Sequence, residues 1–256
     1  MQRLVDHPVV LAILTFVGMW CAAHLGARAF SSMRKLEPDE RNDLGFVVGA
    51  TLTLLGLLIG FSFSMAVGRY DQRKSYEEEE ANAIGTEYVR VELLPAADAE
   101  RLQQLLRTYL QLRIRFYQTP EGAELQQIVG ETAHVQDRMW SGVKTAAATL
   151  PNPLVALAVA GMNDVLNRQG YTQAAWWNRI PAAAWCLMIL IAAFCNVMIG
   201  FAARHEKFLG FLILILPIVL SVSFLLLADL DSPRGGIIRV RPQNLLSLPT
   251  SMHPVG

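Results

Sequence analysis

Residues 44–68 run for 25 positions without a charged side chain. Residues 181–203 do so for 23 positions and residues 208–228 for 21. Residues 9–26 form a further apolar block in which His24 is the one ionisable group. A transmembrane helix needs about 20 apolar residues, because about 30 Å of hydrocarbon is crossed at about 1.5 Å per residue. The sequence therefore predicts an all-α integral membrane protein with four spanning helices, at about 9–30, 44–68, 181–203 and 208–228. A cleaved leader is the alternative reading of the first block, from Arg3, the apolar run and Ala27-Arg28-Ala29. It fits less well, because the run is long for a leader and Arg28 lies beside the proposed cleavage point.

Composition narrows the function classes. Hydrophobic residues make up 53% of the chain and charged residues 17%, which excludes a disordered chain. The 22 basic and 22 acidic residues balance, so no basic field is available for nucleic acid. Three cysteines without paired spacing exclude a disulfide framework and a cysteine zinc site.

Between the second and third blocks lie residues 69–180, with 12 basic and 14 acidic side chains. That stretch predicts a helical cytoplasmic domain, and residues 231–256 a cytoplasmic tail. Short charged turns at 31–43 and 204–207 join the other blocks. Arginine and lysine near the membrane are slightly in excess on the side of both termini, which puts that side in the cytoplasm. Within the domain, a helix continues the second block to Pro95. Leu102, Leu105, Leu106, Tyr109, Leu112 and Phe116 then recur at helical spacing. Thr119-Pro120 predicts a helix start, and so does Asn152-Pro153, with a break near Gly170. Trp176 and Trp177, beside Arg179, read as an interfacial anchor.

The second block has the strongest internal pattern. Small residues recur every fourth position at Gly56, Gly60, Ser64 and Gly68, preceded by Gly45 and Gly49. In lipid, small residues let helix backbones approach closely. The stripe is either a seam within one subunit or a seam between subunits of a ring. In the second case Leu57, Phe61 and Met65, within about 80° of one another on an ideal helix, form a hydrophobic pore constriction that gates by dewetting. Leu54 and Leu58 fall near that stripe, and Ile59, Phe63 and Val67 give the alternative register. Just beyond the block, Arg69, Arg73, Glu77 and Glu80 share a helix face. They predict either a salt-bridged surface stripe or a charged vestibule. In the fourth block Pro217 predicts a kink. In the third, Asn196 predicts an interhelical hydrogen bond.

Two stretches resemble a known family. One is Glu80-Ala81-Asn82-Ala83-Ile84-Gly85 followed by Tyr88, Arg90 and Leu93-Leu94-Pro95. The other is Asp229-Leu230-Asp231-Ser232-Pro233-Arg234-Gly235-Gly236, then Val240. With Asn163-Asp164 and Pro181 they resemble the bestrophin-like family of bacterial membrane proteins over nearly the whole chain. The resemblance implies a multi-pass protein of the bacterial inner membrane with both termini in the cytoplasm. By more distant analogy it implies a homo-oligomeric ring, a pentamer, whose second helix lines a path for inorganic ions. Only Asp229 and Asp231 stand where eukaryotic bestrophins carry a dense calcium-binding cluster, so the resemblance does not extend to calcium. The same residues have plain physical readings. Glu80 and Asn82 can hydrogen-bond a neighbouring helix or chain, and Gly85 permits close backbone approach. Asp231-Ser232-Pro233 with Gly235-Gly236 is turn chemistry that sends the chain back along the helical domain.

No metalloprotease, nucleotide-binding or nucleophile-elbow motif is present, and the five histidines lack metal-ligand spacing. No catalytic residue, cofactor or metal is expected. Two alternatives to a channel remain open at this point: a non-conducting scaffold or sensor with a cytoplasmic partner, and a stator-like subunit of a proton-driven motor.

Overall fold

The computed structural model describes residues 2–29, 37–149, 152–203, 209–250 and 252. The predicted turn at 204–207 and residues 31–36 of the one at 31–43 lie outside them; the helix that follows already begins at Pro38. Among the described residues there is no strand. The helices in chain order are α1 (Gln2–Val5), α2 (Pro8–Ala29), α3 (Pro38–Arg90), α4 (Ala96–Gln118), α5 (Ala123–Thr149), α6 (Pro153–Trp177), α7 (Ala182–Ala203), α8 (Leu209–Asp231) and α9 (Gln243–Ser247). Four of them contain stretches long and apolar enough to cross a membrane. The chain divides into two compact units. One comprises Met1–Gly68 and Arg179–Arg239, the other Arg69–Asn178 and Val240–Gly256.

In the first unit α2 packs on α7 and α8. The seam is apolar. Met19 and Ala23 from α2, Trp185, Met188 and Ala192 from α7, and Phe224 and Leu227 from α8 are all buried. Trp185 meets Phe224 edge-on at 5.9 Å between ring centroids. The α2–α7 crossing depends on a reciprocal pair of glycines. A Cβ on Gly26 would collide with the backbone of Val197, and one on Gly200 with the backbone of Ala23. This is the small-residue seam of the unit, formed by glycines that carry no fourfold periodicity in the sequence. Gly200→Ala is expected to cost about 1–3 kcal/mol, because backbone cannot yield as a side chain can. Gly170→Ala, in a helix with nothing within 4 Å, is expected to gain about 0.5–1 kcal/mol. Thermal unfolding of the two variants in detergent checks the contrast.

α8 runs through Pro217 as one helix, with Ser221 Oγ donating to the carbonyl of Pro217 at 2.6 Å. Asn196 is buried, but its amide donates to the carbonyl of Ala192 at 2.8 Å, within its own helix. The expected interhelical bond is absent among the described residues.

In the second unit α4 packs on α5, and α5 on α6. All six residues of the α4 stripe predicted from spacing are buried. Opposite them lie Ile128, Met139 and Val143 of α5 and Met162 and Val165 of α6. Two helix boundaries differ from expectation. α5 starts at Ala123, not at Pro120. Thr119 instead ends α4, extended at φ −81° and ψ 131° as a residue before proline must be. α6 starts as predicted, with Asn152 Oδ1 accepting from the Val155 amide at 2.9 Å, but it passes Gly170 without a break. Trp176 belongs to this core. It meets Phe116 and Tyr117 edge-on at 5.2 and 5.4 Å, so it is no interfacial anchor; Trp177 is exposed.

Candidate functional site: the apolar stripe of α3 and the charges that follow it

The apolar part of α3 turns one face inward, through Leu55, Ser62 and Ala66. The rest is bare. Leu57, Phe61 and Met65 are each about half exposed, at 54, 62 and 48%. Gly56, Gly60, Ser64 and Gly68 are exposed as well, and no atom lies within 4 Å of a Cβ built on any of the three glycines. Among the described residues the stripe of small residues is therefore not a packing seam. On an ideal helix Ser64 falls about 180° from Leu55, so the stripe lies opposite the buried face.

The charged residues that follow are mostly interior. Arg69 is half-buried, but Arg73, Glu77 and Glu80 are buried at 1, 1 and 0% exposure. Those three are not vestibule residues. A helix sends successive side chains about 100° apart, and the Glu77-Glu78-Glu79-Glu80 run is dispersed accordingly. Glu77 accepts from the Leu245 amide at 3.0 Å and from Asn244 Nδ2 at 2.7 Å, holding α9 against the unit. Glu78 is exposed. Glu79 takes the Arg168 guanidinium of α6, which also donates to Asp164 at 3.1 Å. Glu80 pairs with Arg113 of α4 through Nε and, at 3.3 Å, through Nη2. Tyr117 and Thr172 donate to the same carboxylate at 3.4 and 3.2 Å. Burial by itself would push Arg113 down, but the adjoining Glu80 carboxylate holds it above its ordinary value. Burial and the same carboxylate push the Tyr109 and Tyr117 hydroxyls up. Glu80 is thus a satisfied interior ion pair.

The other recognised motif residues separate into two groups. Asn82 and Asn163 are exposed on α3 and α6. A Cβ on Gly85 would press the Leu248 side chain at 2.9 Å. Pro95 starts α4, its carbonyl accepting from the Asp98 and Ala99 amides, both at 2.9 Å. Arg90 lies beside Glu87 against Gly161. The C-terminal motif ties chain ends together in the first unit. Asp231 is buried and accepts from the Ile180 amide at 2.9 Å, just ahead of α7. Asp229 accepts from the amides of Ile237 at 2.6 Å and Ile238 at 2.9 Å. Ser232 donates to Asp6 at 3.0 Å, and Arg179 donates to the same oxygen at 2.6 Å. Pro233 is buried, and Gly236 lies so close to Asp229 that a Cβ would collide with its carboxylate. This is a structural clasp in which every named carboxylate already has donors. Among the described residues no group of three or more His, Cys, Asp or Glu side chains could hold a metal.

Reading the sequence missed Arg113, Arg168, Thr172, Glu87 and Asp6. Arg113 did carry a signal, since it is a charge on the apolar stripe of an amphipathic helix. Thr172 and Asp6 carried none, because their partners are 92 to 226 positions away. Arg168 has Asp164 one turn back, but its second acceptor, Glu79, is 89 positions away. Glu87 is buried without a hydrogen-bond partner that spacing could reveal.

Comparison with known proteins bears on this arrangement. No curated protein matches the chain. Solved structures do. A variant of a bacterial bestrophin homolog from Klebsiella pneumoniae superposes with a TM-score of 0.61 at 15% identity, over 93% of this chain and 96% of that one. A second variant of that homolog gives 0.61 at 16% identity, over 93% and 98%. A structure described as a membrane protein gives 0.63 at 15% identity, over 97% and 99%. At such identities the match establishes the fold alone. The model of the Bestrophin-like domain matches residues 9–245, and with that the chain belongs to the bestrophin-like family.

Proposed function

We propose that the chain is one subunit of a homo-oligomeric ion channel in a bacterial inner membrane, with both termini in the cytoplasm. Copies of α3 surround the axis of a ring, expected to be a pentamer. Leu57, Phe61 and Met65 form its hydrophobic constriction, and inorganic ions pass when the constriction wets. In this reading the protein is not an enzyme.

The observation that carries the reading is the bareness of α3. Only 6% of its most apolar window is buried by the rest of the chain, against 33% for α2 and 44% for α8. Lipid alone would accept such a surface. A row of glycines open to a second backbone is the composition of a helix–helix seam, however, and the described residues offer that row no partner. The fold shared with the solved bacterial bestrophin homolog is a second support.

The test is ion release from liposomes holding the purified protein, with empty liposomes and a Phe61→Ala variant alongside. Release above the empty control, faster in Phe61→Ala, is the expected result. No release from protein shown by mass to be oligomeric would transfer the function to a scaffold or sensor role.

A further inference from the structure

The turn after α8 carries the most exposed large apolar side chain among the described residues. Ile237 is 90% exposed, and Phe46, at 79%, comes next. Single exposed aliphatics are common on a protein surface, but this one is held out by a turn that cannot fold away. Asp229 accepts the Ile237 and Ile238 amides on its two carboxylate oxygens. Gly235 donates to Ser232 Oγ at 3.0 Å, and a Cβ on it would collide with the carbonyl of Asp6. Arg239 Nε donates to the Gly236 carbonyl at 2.5 Å.

The depth of the turn indicates what receives Ile237. The apolar span of α8 runs from Ile213 to Asp231. Acidic side chains are costly inside hydrocarbon, so the hydrocarbon ends at the level of Asp229 and Asp231. The Ile237 amide lies 2.6 Å from the Asp229 carboxylate. The turn therefore doubles back to that level, and Ile237 stands at the edge of the bilayer. Leu4, 40% exposed on α1, lies on the segment that packs against α8. Arg239, two residues beyond Ile237, is exposed, and no carboxylate pairs with it among the described residues. Exposed aliphatics beside an unspent cation suit a surface that rests in phospholipid, the apolar side chains among acyl chains and the cation on phosphate.

We propose that the turn at 235–239 is a membrane anchor. Ile237, with Ile238 and Leu4 beside it, enters the lipid at the boundary between headgroups and acyl chains, and Arg239 binds a phospholipid phosphate. Asp229, a residue of the C-terminal motif, thereby has a task that the channel reading does not give it. It aims the turn at the bilayer, so that no ordering is left to be done when lipid is met. The anchor requires a spanning chain and not a conducting one.

The test uses the full-length protein with Cys21, Cys186 and Cys195 replaced by alanine. Ile237→Cys is labelled with a nitrobenzoxadiazole fluorophore and reconstituted in vesicles of phosphatidylcholine and phosphatidylglycerol. Part of the phosphatidylcholine carries a nitroxide, either near the headgroup or near the end of the acyl chain. Gln104→Cys, on an exposed position of α4, is the control. The shallow nitroxide should quench the fluorophore at 237 by about half or more, the deep one less, and neither should quench it at 104. The same shallow nitroxide on phosphatidylglycerol should quench position 237 more strongly, and Arg239→Gln should abolish that excess. A fluorophore at 237 that no nitroxide quenches would overturn the anchor; blue-shifted emission would then place it under a second copy, and water-like emission in solvent. Stronger quenching by the deep nitroxide would overturn the boundary position. An excess that survives Arg239→Gln, or that the parent lacks, would overturn phosphate binding by Arg239.

Discussion

Arg113→Met is expected to destabilise the helical unit by about 3–5 kcal/mol, the cost of stripping a buried carboxylate of its counter-charge. Glu80 has no exposure of its own to water. Tyr117 and Thr172 donate hydrogen bonds to it but cannot neutralise it. The double variant Glu80→Gln with Arg113→Met should recover much of the loss, because it removes the charge as well as the partner. Arg115→Met is the control. It breaks the pair with Glu124, in which both side chains are at least half exposed, and should change stability by less than about 1 kcal/mol. Denaturant unfolding followed by helicity distinguishes the cases. Equal effects at Arg113 and Arg115 would mean that Glu80 is reached by water.

The second large effect is pH-dependent. In the folded chain the Glu87 carboxyl is raised from 4.5 to about 8, chiefly by burial. The folded state therefore keeps a proton that the unfolded chain gives up. Stability contributed by this site is intact below the unfolded value, is lost as pH rises through the interval, and levels off above about 8. Glutamine has no proton to lose. Glu87→Gln should match the wild type near pH 5 and exceed it by a few kcal/mol, on the order of 2–4, at pH 8. Melting temperatures across pH 5–9 give the test. Parallel curves for the two proteins would show that Glu87 ionises freely in the folded state.

The membrane helices were legible because hydrocarbon imposes a length and forbids charge, and both constraints are local. The α4 stripe was legible for a similar reason, since Leu102, Leu105, Leu106 and Tyr109 repeat with the helix. The charged face of α3 was not. Arg73, Glu77 and Glu80 have the spacing of a surface stripe, and the groups that meet Glu77 and Glu80 in the interior, Asn244 and Leu245 for the one and Arg113, Tyr117 and Thr172 for the other, are distant in sequence. Small residues misled in the same way. The glycine row of α3 looks like a seam yet meets no other element among the described residues, while Gly26 and Gly200, isolated in sequence, hold two helices in backbone contact. Periodicity reports that a face exists; what covers it depends on parts of the fold that no local pattern encodes. The helix start at Thr119-Pro120 failed on local chemistry. A residue before proline is driven to extended backbone, which suits the end of α4 as well as the start of a new helix.

Conduction along α3 is tested most directly by charged thiol reagents on single cysteines. In a background where Cys21, Cys186 and Cys195 are replaced by alanine, Leu57→Cys, Phe61→Cys and Met65→Cys are each reconstituted in liposomes. Leu190→Cys, on the exposed face of α7, serves as a control. A positively charged methanethiosulfonate should change ion release at one or more of the three α3 positions and leave the Leu190 variant unaltered. Unchanged release at all three, from liposomes that conduct, would place the pathway elsewhere and contradict a pore lined by α3.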